Sequence, residues 1–329
     1  MHIAIYGAGA IGGLFAARLG LAGHTISAVA RGKTLQVLQE RGLTLQLPDG
    51  DRQVAIRAEQ DPHLLGVQDI VILAVKSPAL PSVAQHIAPL IGPDTLVITA
   101  MNGVPWWFFE APGVPYHGTC LHSIDPDGAL SRAIPIAQVI GCVVHLSSSA
   151  PQAGVIRLAS GNRLILGEPA AAGQISARVL ALVALLTQAG FEAVGSADVR
   201  SDIWYKLWGN MTMNPISAIT GAMADKILDD PLVNAYCLNV MQEAASIGAR
   251  IACPIAQSGV ERNQITRKLG SFKTSMLQDV EAGKALEIDA LVAVVREIGQ
   301  LTGTPTPTID SLLGLSRLFA RTRGLYPAA

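Results

Sequence analysis

The sequence predicts an α/β fold, with a Rossmann-type doubly wound N-terminal domain followed by an all-helical second domain. Three observations carry that expectation. A glycine-rich turn joins an apolar strand to a small-residue helix at the start of the chain, further strand-length apolar runs alternate with helical stretches, and the texture turns helical near residue 195. The expected division is 1–195 and 196–329, and a chain of 329 residues is long enough for two cores with a cleft between them.

Residues 2–6 read as the first strand, residues 10–21 as a helix and residues 24–30 as the second strand. Residues 69–75 (DIVILAV) and 95–100 are continuous apolar runs, as buried parallel strands tend to be. Residues 116–168 hold short β-branched runs, at 138–146 and 154–166, which suggest antiparallel strands extending the first sheet. Helical periodicity then marks 201–214, 231–251, 260–280 and 287–301, with the Pro-rich connector 302–308 before a last helix.

Composition excludes several classes. Half of the residues are apolar and 15% are charged, unlike a disordered chain, and 24 basic against 25 acidic side chains leave no surplus for nucleic acid. No apolar stretch reaches the length needed to cross a bilayer, so no membrane partner is expected. The first residues lack a basic region before the apolar run, Arg18 interrupts it, and Cys120, Cys142, Cys237 and Cys253 have no CxxC spacing. These features suggest a cytoplasmic protein with reduced cysteines, and no metal site is expected.

Gly7-Ala8-Gly9-Ala10-Ile11-Gly12 is a GxGxxG set directly between strand and helix. The first glycine permits the tight turn, the second lets a pyrophosphate approach the backbone, and the third lets helix and strand pack closely. Gly7, Gly9, Ala10, Ile11 and Gly12 are therefore expected to bind a dinucleotide at the helix N-terminus. The second strand ends in Ala30-Arg31, where an NAD enzyme would carry an acid. A guanidinium suits a ribose 2′-phosphate, so Arg31 favours NADP(H), the alternative being a solvated loop cation.

Lys76 and Asn102-Gly103 each follow an apolar strand, at the sheet edge where ligands bind in doubly wound folds, and both are expected at the nicotinamide end. For Lys76 a surface loop lysine is the competing reading. Lys206, Asn210 and Asn214 recur at i, i+4 and i+8 within SDIWYKLWGNMTMN, which places them on one helix face over roughly 12 Å. Among apolar neighbours, a desolvated lysine is tuned toward acid catalysis, and amides hydrogen-bond substrate oxygens without charge. An exposed polar stripe is the bland alternative. Ser275 and Glu287 would converge if a turn at Gly283 reverses the chain, although Glu287 and Asp289 also read as helix N-terminal acids.

The GAGAIGG start, Val75-Lys76, Asn102-Gly103, the Lys206/Asn210/Asn214 row before Pro215, and SMLQD with EID together resemble the ketopantoate reductases, from Met1 to about Pro307. The resemblance implies a Rossmann-type domain with a helical one, and NADPH-dependent reduction of a 2-keto acid, 2-dehydropantoate to pantoate. It implies Lys206 as general acid and Glu287 as the carboxylate that holds the substrate hydroxyl. Asn102, Asn210, Asn214 and Ser275 would orient substrate, Lys76 would lie by cofactor and carbonyl, and a homodimer is allowed. Two departures bear on substrate. Trp106-Trp107-Phe108-Phe109 follows Asn102-Gly103, and Val292-Ala293 stands where the family often has Asn-Gly, both expected to make the site more apolar. A relative acting on another 2-keto acid, or a non-catalytic NADP sensor, would share the glycines and Arg31.

Overall fold

The computed structural model describes residues 1–170 and 173–328. The first stretch runs β1 (His2–Tyr6), α1 (Ala10–Leu21), β2 (Thr25–Val29), α2 (Gly32–Arg41), β3 (Leu43–Gln46), β4 (Arg52–Val54) and β5 (Arg57–Glu59). Next come β6 (Ile70–Leu73), α3 (Leu80–His86), β7 (Leu96–Thr99), α4 (Ala129–Ala133), β8 (Val139–Gln152), β9 (Val155–Gly167), α5 (Ala177–Gln188) and β10 (Glu192–Ser196). The remainder is helical: α6 (Val199–Thr220), α7 (Ala224–Asp229), α8 (Pro231–Arg250), α9 (Gly259–Lys268), α10 (Ser275–Glu281), α11 (Val294–Thr302) and α12 (Pro307–Arg321). A π-helical turn, Asp289–Ala293, leads into α11.

Strands β5-β2-β1-β6-β7-β8 lie side by side and parallel, the doubly wound order in which strand direction through the sequence reverses between β1 and β6. Beyond β8 the sheet is mixed. β9 returns antiparallel to β8, as expected, but β3 and β10 both join β9 in parallel and β4 closes that edge antiparallel to β3. The sheet therefore curls around α1, which carries buried residues from Gly12 to Leu19. Small residues make that enclosure possible. A Cβ on Gly13 would strike Ile156 of β9, one on Gly20 would strike Val54 of β4, and one on Gly12 would strike the Gly7 carbonyl.

The expected helix over 260–280 is two helices. The backbone turns left-handed at Gly270 (φ +73°), and Thr274 restarts it by accepting the Leu277 N–H. The aromatic run Trp106–Phe109 forms a 3-10 turn in the core, where all four side chains are buried, and so does not line the cleft. Trp107 donates Nε1–H to Thr99 Oγ1 at 3.2 Å. Arg200 of α6 donates to the Phe108 carbonyl at 2.9 Å and lies 4.6 Å above the Phe108 ring, tying helical segment to sheet. Val292 is also buried, inside the π turn.

Candidate active site

At the end of β1 the backbone turns at Gly7 (φ +98°), where a Cβ would approach Val75 Cγ1 to 2.7 Å. Gly9 caps α1, and space for a Cβ there is open to 4 Å. The N–H groups of Ala10, Ile11 and Gly12 follow in the first turn, at the positive end of a helix. An opening at the second glycine, with packing contacts at the first and third, fits a pyrophosphate laid against this turn. Arg31, exposed at the N-terminus of α2, donates to Ser82 Oγ of α3, and its charge bears on the Tyr6 hydroxyl. β2 is followed by Ala30-Arg31, so this edge offers a cation to a 2′-phosphate.

Across the β1/β6 switch, Lys76 forms an ion pair with Asp279 of α10. The next residue, Ser77, donates its N–H to Glu287 Oε1 at 3.0 Å. The loop after β6 is thus gripped by two carboxylates of the helical segment. Glu287 is buried, and burial pushes its carboxyl up while the Ser77 N–H and Lys76 pull it down.

Lys206 projects from α6 into the cleft. Its Nζ donates to Asn102 Oδ1 at 2.8 Å and to the Val144 carbonyl at 2.7 Å. Burial lowers its pKa to about 8, against the opposing pull of Cys142 and Glu287. Burial also pushes the Cys142 thiol up to about 12, so a neutral thiol faces the ammonium at neutral pH. An ammonium has three N–H donors. Two are used, and one is left for a ligand.

A crevice beside Nζ is lined by Met101, Gly103, Cys142, Ile203 and Asn210. Asn214, one turn beyond Asn210, is buried, and among the described residues neither amide has a hydrogen-bond partner. Gly103 (φ +84°) presses on the π turn. A Cβ there would lie 2.7 Å from Ala290 C and closer still to its carbonyl oxygen, which accepts the Val104 N–H at 3.1 Å. Asn102 is thereby keyed to the turn that follows Glu287.

The structure brings Gly7, Gly9, Ala10, Ile11, Gly12, Arg31, Lys76 and Asn102 to one sheet edge, and it places Lys206, Asn210 and Asn214 on one helix face. Gly283 does turn the chain (φ +62°), but the groups it unites around Lys76-Ser77 are Asp279 and Glu287. Ser275 lies exposed one turn before Asp279. Asp279 enters the sequence reading only as the last residue of SMLQD, with no role assigned, and the Val144 carbonyl does not enter it. Asp279 reads as an ordinary helix acid, and a backbone acceptor has no residue signature.

A parallel doubly wound sheet with a glycine turn at its switch point, roofed by helices that deliver a partly desolvated lysine, defines a nicotinamide-dependent oxidoreductase. The ketopantoate reductase PanE/ApbA profile matches residues 3–106, and its C-terminal counterpart matches 198–320. The chain is 44% identical to the 2-dehydropantoate 2-reductase of Mesorhizobium japonicum over 99% of this chain and 100% of that one. It belongs to the ketopantoate reductase family. A crystal structure from Ralstonia solanacearum MolK2, assigned provisionally to the same family, shares 57% identity and a TM-score of 0.95, covering 99% of both chains. A dimeric ketopantoate reductase from Staphylococcus aureus has the same fold, with a TM-score of 0.74 at 21% identity, covering 98% of this chain and 100% of that one.

Proposed function

We propose that the protein reduces 2-dehydropantoate to pantoate with NADPH, residues 1–195 holding the cofactor and residues 196–329 supplying most of the substrate contacts. The observation that carries this reading is the Lys206 ammonium, pinned by Asn102 and the Val144 carbonyl with one N–H left over. When bound, NADPH supplies the hydride that reaches the keto carbon. Lys206 donates its remaining N–H to the keto oxygen and gives up that proton as charge develops there. Asn102 and Val144 fix the direction of the N–H, and low hydration favours the neutral amine left behind. Asn210, Asn214 and Ser275 offer uncharged donors to substrate oxygens, and Glu287 accepts from the substrate hydroxyl. Gly7, Gly9, Ala10, Ile11 and Gly12 cradle the pyrophosphate, Arg31 takes the 2′-phosphate and Lys76 lies at the nicotinamide end.

A homodimer in the cytoplasm, like the dimeric S. aureus relative in assembly, completes the reading. Among the described residues no helix is long and apolar enough to cross a membrane. Sedimentation of the purified protein tests the assembly.

Reduction needs Lys206 protonated, so kcat should be flat below its pKa and fall as pH rises through about 8. Lys206→Ala should lower kcat by roughly 10² to 10⁴ and abolish that limb, with NADPH affinity preserved. Near-normal kcat with the wild-type pH profile would remove Lys206 from the reaction.

A further inference from the structure

Glu287 is held on both sides by the segment that follows α12. The backbone turns left-handed at Gly324 (φ +66°), and the Leu325 N–H returns to the Ala320 carbonyl at 2.9 Å, so that residues 325–327 fold back. Arg321 of α12 fastens the fold-back, donating Nε–H to the Pro327 carbonyl at 3.1 Å, with its Cζ 5.6 Å from the Tyr326 ring centroid. Leu325 belongs to the same buried cluster as Leu286 and Ile288. Its carbonyl accepts the Leu286 N–H at 3.0 Å, and the Tyr326 hydroxyl donates to Asp289 Oδ1 at 2.6 Å. Consecutive residues of this segment thus grip the positions immediately before Glu287 and just beyond it.

The grip falls where the backbone is irregular. Asp289–Ala293 is a π-helical turn, an arrangement found mostly as single turns and often at functional sites. No side chain caps that turn. Asp289, which reads in the sequence as a helix N-terminal acid, instead gives Oδ1 to the Tyr326 hydroxyl and, at 3.5 Å, to the Arg317 guanidinium. Burial and the bond to Asp289 raise the Tyr326 pKa, which keeps its hydroxyl a donor at neutral pH. Glu287 spends Oε1 on the Ser77 N–H, so the direction of its other oxygen depends on where the backbone from 286 to 289 is held.

We propose that Tyr326 is a positioning residue for substrate specificity: acting through Asp289, with the Leu325 carbonyl on Leu286, it aims Glu287 at the hydroxyl of the hydroxylated 2-keto acid. The inference rests on the keto-acid reading, in which Glu287 accepts from that hydroxyl. A site built around a substrate hydroxyl discriminates against the analogue lacking it only while its acceptor is in place, and hydrogen bonds weaken steeply as their angle and distance drift.

The test compares 2-dehydropantoate with 3,3-dimethyl-2-oxobutanoate, the same keto acid without its hydroxyl, in the full-length enzyme with NADPH. The wild type should favour the hydroxylated substrate in kcat/KM. Tyr326→Phe should raise KM for 2-dehydropantoate by about three- to tenfold with kcat little changed, and should leave both KM for the analogue and the NADPH Kd as they were, so that the preference shrinks by that factor. Asp289→Ala should shrink it equally. Asp289→Asn, which keeps an oxygen for the Tyr326 hydroxyl, should retain most of it, and Tyr326→Phe combined with Asp289→Ala should be no worse than either alone. Thermal unfolding confirms that each variant is folded. An unchanged preference in folded Tyr326→Phe would overturn this inference while leaving the reductase reading untouched. Equal losses with both keto acids would also overturn it, in favour of a purely structural role. A wild-type enzyme that reduces neither compound would instead remove the functional reading itself.

Discussion

Gly103→Ala tests whether the cleft is set by one backbone contact. Gly103 has φ +84°, and an added methyl would meet Ala290 at 2.7 Å (C) and 2.8 Å (Cβ), with the carbonyl oxygen closer still. Holding a non-glycine residue in that conformation costs about 1 to 3 kcal/mol. Forcing a methyl against backbone that cannot rotate away adds roughly 1 to 3 kcal/mol. Gly113 provides a control, because its φ is +82° with nothing within 4 Å of a Cβ, so Gly113→Ala carries the conformational cost alone. Scanning calorimetry of both variants should show the larger loss for Gly103→Ala. Turnover should separate them further. Only Gly103→Ala moves Asn102, the 2.8 Å partner of Lys206 Nζ, so only it should lower kcat, by about tenfold or more. Equal stability losses and equal kcat values for the two variants would refute the coupling of the Asn102 loop to the π turn.

Arg31→Ala should raise the NADPH Kd by about tenfold or more while NADH binding stays within twofold, since a charge-assisted phosphate contact is lost and the Ser82 partner is left free for water; fluorescence titration with both nucleotides measures it. Asp279→Asn removes the carboxylate that pairs with Lys76, whose ammonium is partly exposed, so kcat/KM should fall by up to about tenfold with little change in melting temperature. Steady-state kinetics beside a melting curve would expose a purely structural role as the reverse pattern.

The parts of the fold legible in the sequence are those fixed by local pattern. DIVILAV reads as a buried strand because its run is unbroken, and residues 10–21 read as a helix because small and apolar residues dominate there in a helical pattern that ends at Gly23. The place of β3 and β4 is set by pairing with β9, more than a hundred residues later, and no local periodicity records it. The break at Gly270 is marked only by the glycine itself, a residue that commonly ends helices, and the helix expected over 260–280 runs past it. In the site, Lys206, Asn210 and Asn214 stand out because helical spacing alone aligns them. Asp279 does not, since its meaning comes from Lys76 arriving from another element. Trp106–Phe109 looked like a pocket wall by its nearness to Asn102, but bulk of that kind is accommodated most readily where Gly141 leaves room for the Trp107 ring.

Helix α6 begins on the sheet, where Val199 fills space left by Gly141 and Gly167, and it ends among α7, α8, α10 and α12. The hydrophobic cluster it threads runs without interruption from Ala4 and Val71 through Trp107 to Ile298 and Leu312. Division of labour along the sequence therefore does not amount to independence in solution. A fragment ending near residue 195 would bare to water the part of the sheet that α6 covers on β8 and β9, and the helical remainder would lose the floor on which α6 rests. The cleft is a seam within a single cooperative body, and a ligand entering it meets a wall whose rigidity is underwritten by the same buried surface that keeps the chain folded.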